Sequence, residues 1–303
     1  MKLRTLRLSD RPLFEKYLSL SCRRLSAYAF ENIFIWKTLF SIRWTVARGN
    51  LCCFFEDQTG CFMYLPPLGP ADKETALDCF RFMEEKNANR DISRMENVEE
   101  GDLGNFSGDL FRHYKKGDEY LLSQKDAATL RGDRYRHKRN LCNYFEKNFP
   151  QALLRPYAAG DRKAVLALHQ AWRREREARR ADPVYRAMLQ DSARVLEAML
   201  ASYEKLEGRA FVVEVSGRLA AFSSGFPLPA EGPFCVNFEF ADLALKGVCA
   251  WIFREFSRCL TPHSEINIMD DSGLENLRQA KFLYHPSQTV ASHTVLLADG
   301  ARL

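Results

Sequence analysis

Long apolar runs are missing from this chain. No window of its 303 residues approaches eighteen apolar positions, so the sequence offers no transmembrane helix. The start, MKLRTLRLSDRPLF, lacks the apolar core of a signal peptide. Cysteine pairing signals are also absent. The nine cysteines include the neighbours Cys52 and Cys53 but no C-x-x-C, which fits thiols in a reducing cytosol. The six histidines, His113, His137, His169, His263, His285 and His293, are too dispersed for a metal spacing, so no metal is expected. No Ser/His/Asp signature stands out. A large excess of one charge sign is missing too, since both signs are abundant. The net +5 favours anionic partners without demanding nucleic acid.

What is present is enough apolar and aromatic material for real cores, and a length typical of two domains. Ser9-Asp10-Arg11-Pro12 starts a helix. Tyr28 to Phe40 reads as a buried aromatic helix. Trp44 to Ala47, Leu51 to Glu56 and Cys61 to Leu65 form a three-strand meander, ended by Pro66-Pro67-Leu68-Gly69-Pro70. Asp72 opens a helix with Ala76, Cys79, Phe80 and Met83 inward. A strand follows at Ile92 to Val98, and another segment begins at Asp118. Arg131 to Lys147 is a helix with a basic start, read either as a solvated face or as a phosphate-binding edge.

After Phe149-Pro150 the pattern restarts. Leu153 to Tyr157 is a strand, Gly160-Asp161 opens a helix, and Asp182-Pro183 opens a second. Phe211 to Val215, Leu219 to Phe226 and Phe234 to Phe240 are strands, the last with Cys235, Asn237 and Glu239 on one face. A helix at Val248 to Phe256, a strand near Glu265, a helix and a last strand at Gln288 to Leu297 complete it. Strand, two helices, three strands, helix, strand, helix, strand is the order of an N-acetyltransferase-like (GNAT) domain. Two tandem domains are expected, 1–148 and 149–303, each a mixed, mostly antiparallel sheet flanked by helices. In this fold the fourth and fifth strands of a domain splay, and the loop after the fourth meets a cofactor pyrophosphate. Here that loop, Asp242 to Cys249, offers Ala244, Gly247 and Cys249, and only Gly247 matches the acyl-CoA pattern.

Glu265 to Pro286 carries the strongest local signal. Ser272 and Glu275 have the spacing of a capping box, and Glu275, Arg278 and Lys281 follow along one helix side. Polar groups at a strand end beside a helix start suit a ligand.

Phe30 to Lys37 (FENIFIWK), Pro66 to Gly69 (PPLG), Arg131 to Asn143, Asp242 with Lys246-Gly247, and Asn267 to Pro286 together resemble the phosphatidylglycerol lysyltransferase C-terminal-domain family over nearly the whole chain. Full-length lysyltransferases add a multi-helix membrane domain, for which this sequence has no stretch. The resemblance implies two GNAT-like halves, a relation to Fem-type aminoacyltransferases, and transfer of an aminoacyl group from aminoacyl-tRNA to a lipid or small acceptor. It implies anion contacts at Asp242, Lys246 and Gly247. Asn267, Asp270 and Asp271 would orient or deprotonate the nucleophile. Arg278 and Lys281 would neutralise phosphate, and Arg136, Lys138, Arg139 and Asn140 would line a polyanion's approach. The alternatives are an acetyl-CoA-dependent N-acyltransferase and a non-catalytic protein that binds an anionic ligand. A cytoplasmic protein, peripheral at the membrane surface, is the corresponding expectation of place.

Overall fold

The computed structural model describes residues 1–70, 72–180 and 182–300. The first half runs β1 (Arg4–Thr5), α1 (Arg11–Leu18), α2 (Phe30–Ile35), β2 (Ser41–Ala47), β3 (Asn50–Asp57), β4 (Gly60–Met63), α3 (Lys73–Glu84), β5 (Arg94–Glu99) and β6 (Phe111–Ser123), then α4 (Gln124–Thr129) and α5 (Arg136–Asn148). The second runs β7 (Leu153–Pro156), α6 (Arg162–Arg179), α7 (Pro183–Ser202), β8 (Arg209–Val215), β9 (Arg218–Pro227), β10 (Phe234–Ala241), α8 (Val248–Arg258), β11 (Glu265–Asn267), α9 (Glu275–Phe282) and β12 (Gln288–Leu297). The second half has the expected order, element for element.

Local chemistry explains the elements. The Asp72 carboxylate accepts from the Glu74 N–H at 3.1 Å and from the Thr75 hydroxyl, which starts α3. Asp182 accepts from the Val184 N–H at 2.9 Å, with Pro183 in the first turn of α7. Ser216 and Gly217 both take positive φ, 51° and 76°, as the tight β8–β9 hairpin demands. The aromatic stretch expected as a buried helix from Tyr28 to Phe40 is buried only to Ile35, and it is not one helix. Only Phe30–Ile35 is α-helical, with 3₁₀ turns on either side.

All twelve strands form one sheet, in the order β1-β2-β3-β4-β5-β12-β6-β11-β10-β9-β8-β7. Counted from either end, corresponding strands of the two halves occupy corresponding places. Their last strands have crossed over. β12 pairs with β5 of the first half, and β6 pairs with β11 of the second; β6 and β12 meet antiparallel at the centre, from Gln288↔Leu121 to Leu297↔Phe111. The division expected at 148/149 falls between α5 and β7, while the sheet runs on. In each half the fourth and fifth strands are parallel and barely paired: β4 and β5 through Met63↔Met95, β10 and β11 through Phe234↔Ile266 and Cys235↔Asn267. The fold is therefore two GNAT-like halves in one mixed, mostly antiparallel sheet flanked by helices.

The two splays differ. Beyond Met63 the first is bridged, and beside the bridge a cavity of about 280 Å³ remains, lined by the Pro66–Pro70 turn with Arg23, Asp72, Asp102 and Phe106. Asn97 donates from Nδ2 to the Tyr64 carbonyl at 2.9 Å, and Leu51 and Leu68 exchange backbone hydrogen bonds across the Pro66–Pro70 turn. Phe55 stacks on Tyr64 at 4.7 Å, and Leu65 and Leu68 are buried. The second splay carries charge.

Candidate active site between the splayed strands

β10 continues from Val236 to Ala241 after its last pair with β11. This length, unpaired on its β11 side, carries Asn237 and Glu239. Glu239 is enclosed by protein yet only half-buried by area, as befits a side chain at the bottom of a cleft. Burial pushes its carboxyl up to about 8, against the opposing pull of Lys138, a hydrogen bond from the Ser223 hydroxyl and Lys281. Lys138, from α5, sits with Nζ 3.8 Å from the centre of the Tyr284 ring. Burial lowers its pKa, while Glu239 pulls it back. Tyr284 is held protonated by burial and by Glu239. The Cys249 thiol, at the start of α8, is exposed by area but lies where enclosure and then Glu239 push its pKa up to about 11.

A second group joins this cleft. Lys281 of α9 is buried, its pKa lowered by desolvation to about 8, with Asp270, Glu119 and Asp271 opposing that shift. Its ammonium donates to the Met269 carbonyl at 3.0 Å and to the Ile268 carbonyl. Glu119, on β6, is buried with its carboxyl raised by desolvation. It accepts from the Ser26 N–H at 2.7 Å, the Ser26 hydroxyl at 2.6 Å and Asn267. A buried carboxylate with three donors is fully satisfied.

The expected residues divide accordingly. Lys138 and Lys281 face the charged cleft. Asn267 lies fully buried beneath it, donating to Glu119 and to the Arg24 carbonyl at 2.7 Å, while its Oδ1 accepts from the Met269 N–H at 2.6 Å. Every polar group of its amide is committed. Asp271 accepts from the Tyr120 hydroxyl and from the Gly273 N–H at 3.0 Å. Asp270 accepts from the Ser272 N–H and hydroxyl, both at 3.3 Å. That contact corrects the capping box. Ser272 takes φ +50° and turns back to Asp270; the helix instead starts after Leu274, with no side-chain cap. A carboxylate two residues away wins the donors over one three residues ahead.

Arg278 is exposed, its guanidinium 5.7 Å from the Phe282 ring centre. Lys246 is exposed above Tyr144, at 4.8 Å from the ring. Asp242 accepts from the Ala244 N–H at 3.0 Å and shapes its own turn. In the basic run, Arg139 donates to the Leu130 and Gly132 carbonyls, while Arg136 and Asn140 are exposed. Gly247 has φ +93°, and a Cβ there would lie 2.3 Å from the Leu141 carbonyl oxygen of α5. That glycine lets α5 press onto the loop, with a carbonyl where a pyrophosphate would need donors.

Glu239, Glu119, Tyr284 and Tyr120 were missed as site residues. Glu239 left a trace, as a carboxylate on an otherwise apolar strand. Among the described residues no three His, Cys, Asp or Glu side chains are grouped to hold a metal, and no helix is long and apolar enough to cross a membrane.

The fold and cleft together define an acyltransferase-like protein of two GNAT-like halves. The chain belongs to the family described as phosphatidylglycerol lysyltransferase, C-terminal, which matches residues 19–294. No curated protein matches it. Among solved structures it is similar to a conserved protein of unknown function from Bacteroides thetaiotaomicron, with TM-score 0.86 and 23% identity over 98% of this chain and 99% of that one. It is also similar to L-PGS from Bacillus licheniformis, with TM-score 0.67 and 13% identity over 97% and 93%.

Proposed function

We propose that the cleft between β10 and β11 transfers an aminoacyl group from aminoacyl-tRNA to the hydroxyl of an anionic lipid such as phosphatidylglycerol. The observation that carries this reading is the enclosed carboxyl of Glu239 facing the amine of Lys138 where the strands part. An acceptor hydroxyl needs a base to lose its proton, and an ester carbonyl needs a cation as charge develops on its oxygen. Glu239 takes the proton. The hydroxyl oxygen attacks the aminoacyl carbonyl carbon, a new ester bond forms, and the bond to the ribose oxygen breaks. Glu239 then returns the proton to that ribose oxygen. Lys138 stabilises the tetrahedral oxyanion. One ester replaces another, and no electrons change hands.

In this reading Asn267 and Glu119 position the cleft floor, and Asp270 and Asp271 hold Lys281 and Tyr120. Arg136 and Asn140 of α5 offer contacts to the tRNA. So do Arg173, Arg174 and Arg186, which line a cavity of about 540 Å³ between α6 and α7. Arg176 faces Cys249 at the cleft. The packing of α5 on Gly247 weighs against acetyl-CoA as donor.

The test incubates the protein with labelled aminoacyl-tRNA and phosphatidylglycerol vesicles and counts label in the lipid. Thermal melts with each donor form the second arm. A ligand at one hundred times its Kd adds about 2.7 kcal/mol of stability. A shift with acetyl-CoA and none with charged tRNA overturns the proposal.

A further inference from the structure

Only two adjacent residues are both large, apolar and exposed among the described residues. Phe282, the last residue of α9, is 46% exposed, and Leu283 is 51% exposed. Isolated apolar residues on a surface need no explanation, whereas a protruding pair beside a site does. The next residue, Tyr284, turns inward under Lys138 and lines the cleft. The knuckle and the cleft wall are therefore consecutive in the chain.

The surroundings are cationic. Between residues 131 and 139 five cations stand against one acid, Asp133. This segment is tied to the knuckle. Tyr135 donates to the Tyr284 carbonyl at 3.2 Å, and the His285 ring nitrogen meets the Arg134 carbonyl at 2.9 Å. Arg134 pairs with Asp126 at 2.7 Å. Arg131, Arg136 and Arg278 are exposed and form no ion pair with the described carboxylates; Arg278 lies against the Phe282 ring. Glu275 is the exposed acid at the far end of α9.

We infer that Phe282 and Leu283 dock the protein on a bilayer containing anionic phospholipid. The two side chains enter the headgroup boundary while Arg131, Arg136 and Arg278 meet lipid phosphates. Apolar area and cations together are what holds a peripheral protein at such a surface. Docking there sets the Tyr284 side of the cleft against the membrane, so an acceptor headgroup enters without its acyl chains leaving the bilayer. This role rests on the lipid-acceptor reading, but membrane binding can be measured without any transfer.

The experiment is co-sedimentation with vesicles of phosphatidylglycerol and phosphatidylcholine, beside vesicles of phosphatidylcholine alone. Wild type is expected to pellet with the former and to weaken several-fold as salt rises from 0.1 to 0.5 M. Phe282→Ser with Leu283→Ser should lower partitioning about tenfold or more, with a small fall in melting temperature because Phe282 also packs edge-on against Tyr120, and Leu283→Ser alone should lower partitioning at an unchanged melting temperature. Leu283→Trp supplies a second readout, a blue shift of emission when vesicles are added. Glu239→Gln should pellet like wild type, so a failure of chemistry is told apart from a failure of docking. Wild type that ignores anionic vesicles, or a double serine variant that pellets as well as wild type, overturns the inference.

Discussion

The two splays begin from the same topology and end as opposites. In the first half β4 stops at Met63, and the opening is bridged by Asn97, Tyr64 and the proline turn, beside a cavity of about 280 Å³. In the second, β10 runs on to Ala241, and the opening holds Glu239, Lys138 and Lys281. The helices after the strands differ in the same way. α3 is capped by its own Asp72, whereas α8 starts at Gly247 with no side-chain cap and α5 laid against it. A repeated scaffold can thus carry different side chains at the same opening in its two copies. Burying charge is costly, and the halves meet that cost differently: the first pairs Arg23 with Asp102 and Glu96 with Arg94 and Lys116, whereas Glu239 forms no ion pair with a described cation.

The comparison is broken most directly at Glu239. Glu239→Gln keeps the shape and removes the base, so transfer should fall about a hundredfold or more with folding intact. In wild type the rate should rise with pH up to about 8, where the carboxyl ionises, and the variant should lack that limb. Equal activity of the variant removes the cleft from the chemistry. In the other half, Asn97→Ala should cost about 1–3 kcal/mol by denaturant titration, because the Tyr64 carbonyl loses its donor. Asn97 also holds φ +52°, a conformation that alanine tolerates less well. Transfer by the remaining folded protein should be unchanged; a matching loss of rate would show the first splay to be part of the site.

Gly247→Ala tests the contact between α5 and the loop. Its Cβ would meet the Leu141 carbonyl at a strained φ, so about 1–3 kcal/mol of stability should be lost. Lys138 rides on the same helix, so transfer should fall as well. An unchanged melt places the loop elsewhere. A last test is the pH dependence of stability. Glu239 titrates near 8 when folded and at the ordinary 4.5 when unfolded. Between those values the folded chain binds the extra proton, so stability falls as pH rises. Lys281 titrates near 8 when folded against an ordinary 10.5, so there the unfolded chain binds more and stability rises with pH. Melts of wild type minus Glu239→Gln should reveal the falling slope below pH 8, and wild type minus Lys281→Met the rising slope above it. Flat differences would mean that neither side chain is enclosed.

Much of this was legible in the chain. Asp72 and Asp182 announce their helices because a capping carboxylate acts within two or three residues. The order of the second half follows from alternation and helical periodicity, which are also local. The site was less legible because its partners are distant. Glu239 feels the charge of Lys138, about a hundred residues earlier, and Asn267 meets Glu119. At Ser272 two local signals competed, and the nearer carboxylate prevailed. In the basic run composition could not say which arginines the protein uses for itself; Arg139 closes the turn before its own helix.

The crossed central strands have a consequence for how the protein is made. Apart from its single pair with β4, β5 finds a partner only when β12 arrives, with Glu99 waiting for Ser292. A ribosome releases the N-terminal residues long before that partner exists, so the first half emerges with an unsatisfied sheet edge and cannot finish folding during translation. Such contacts between remote residues slow folding. The newborn chain therefore spends its most aggregation-prone interval with β5 and β6 bare, and a chaperone that shields strand edges should raise its yield.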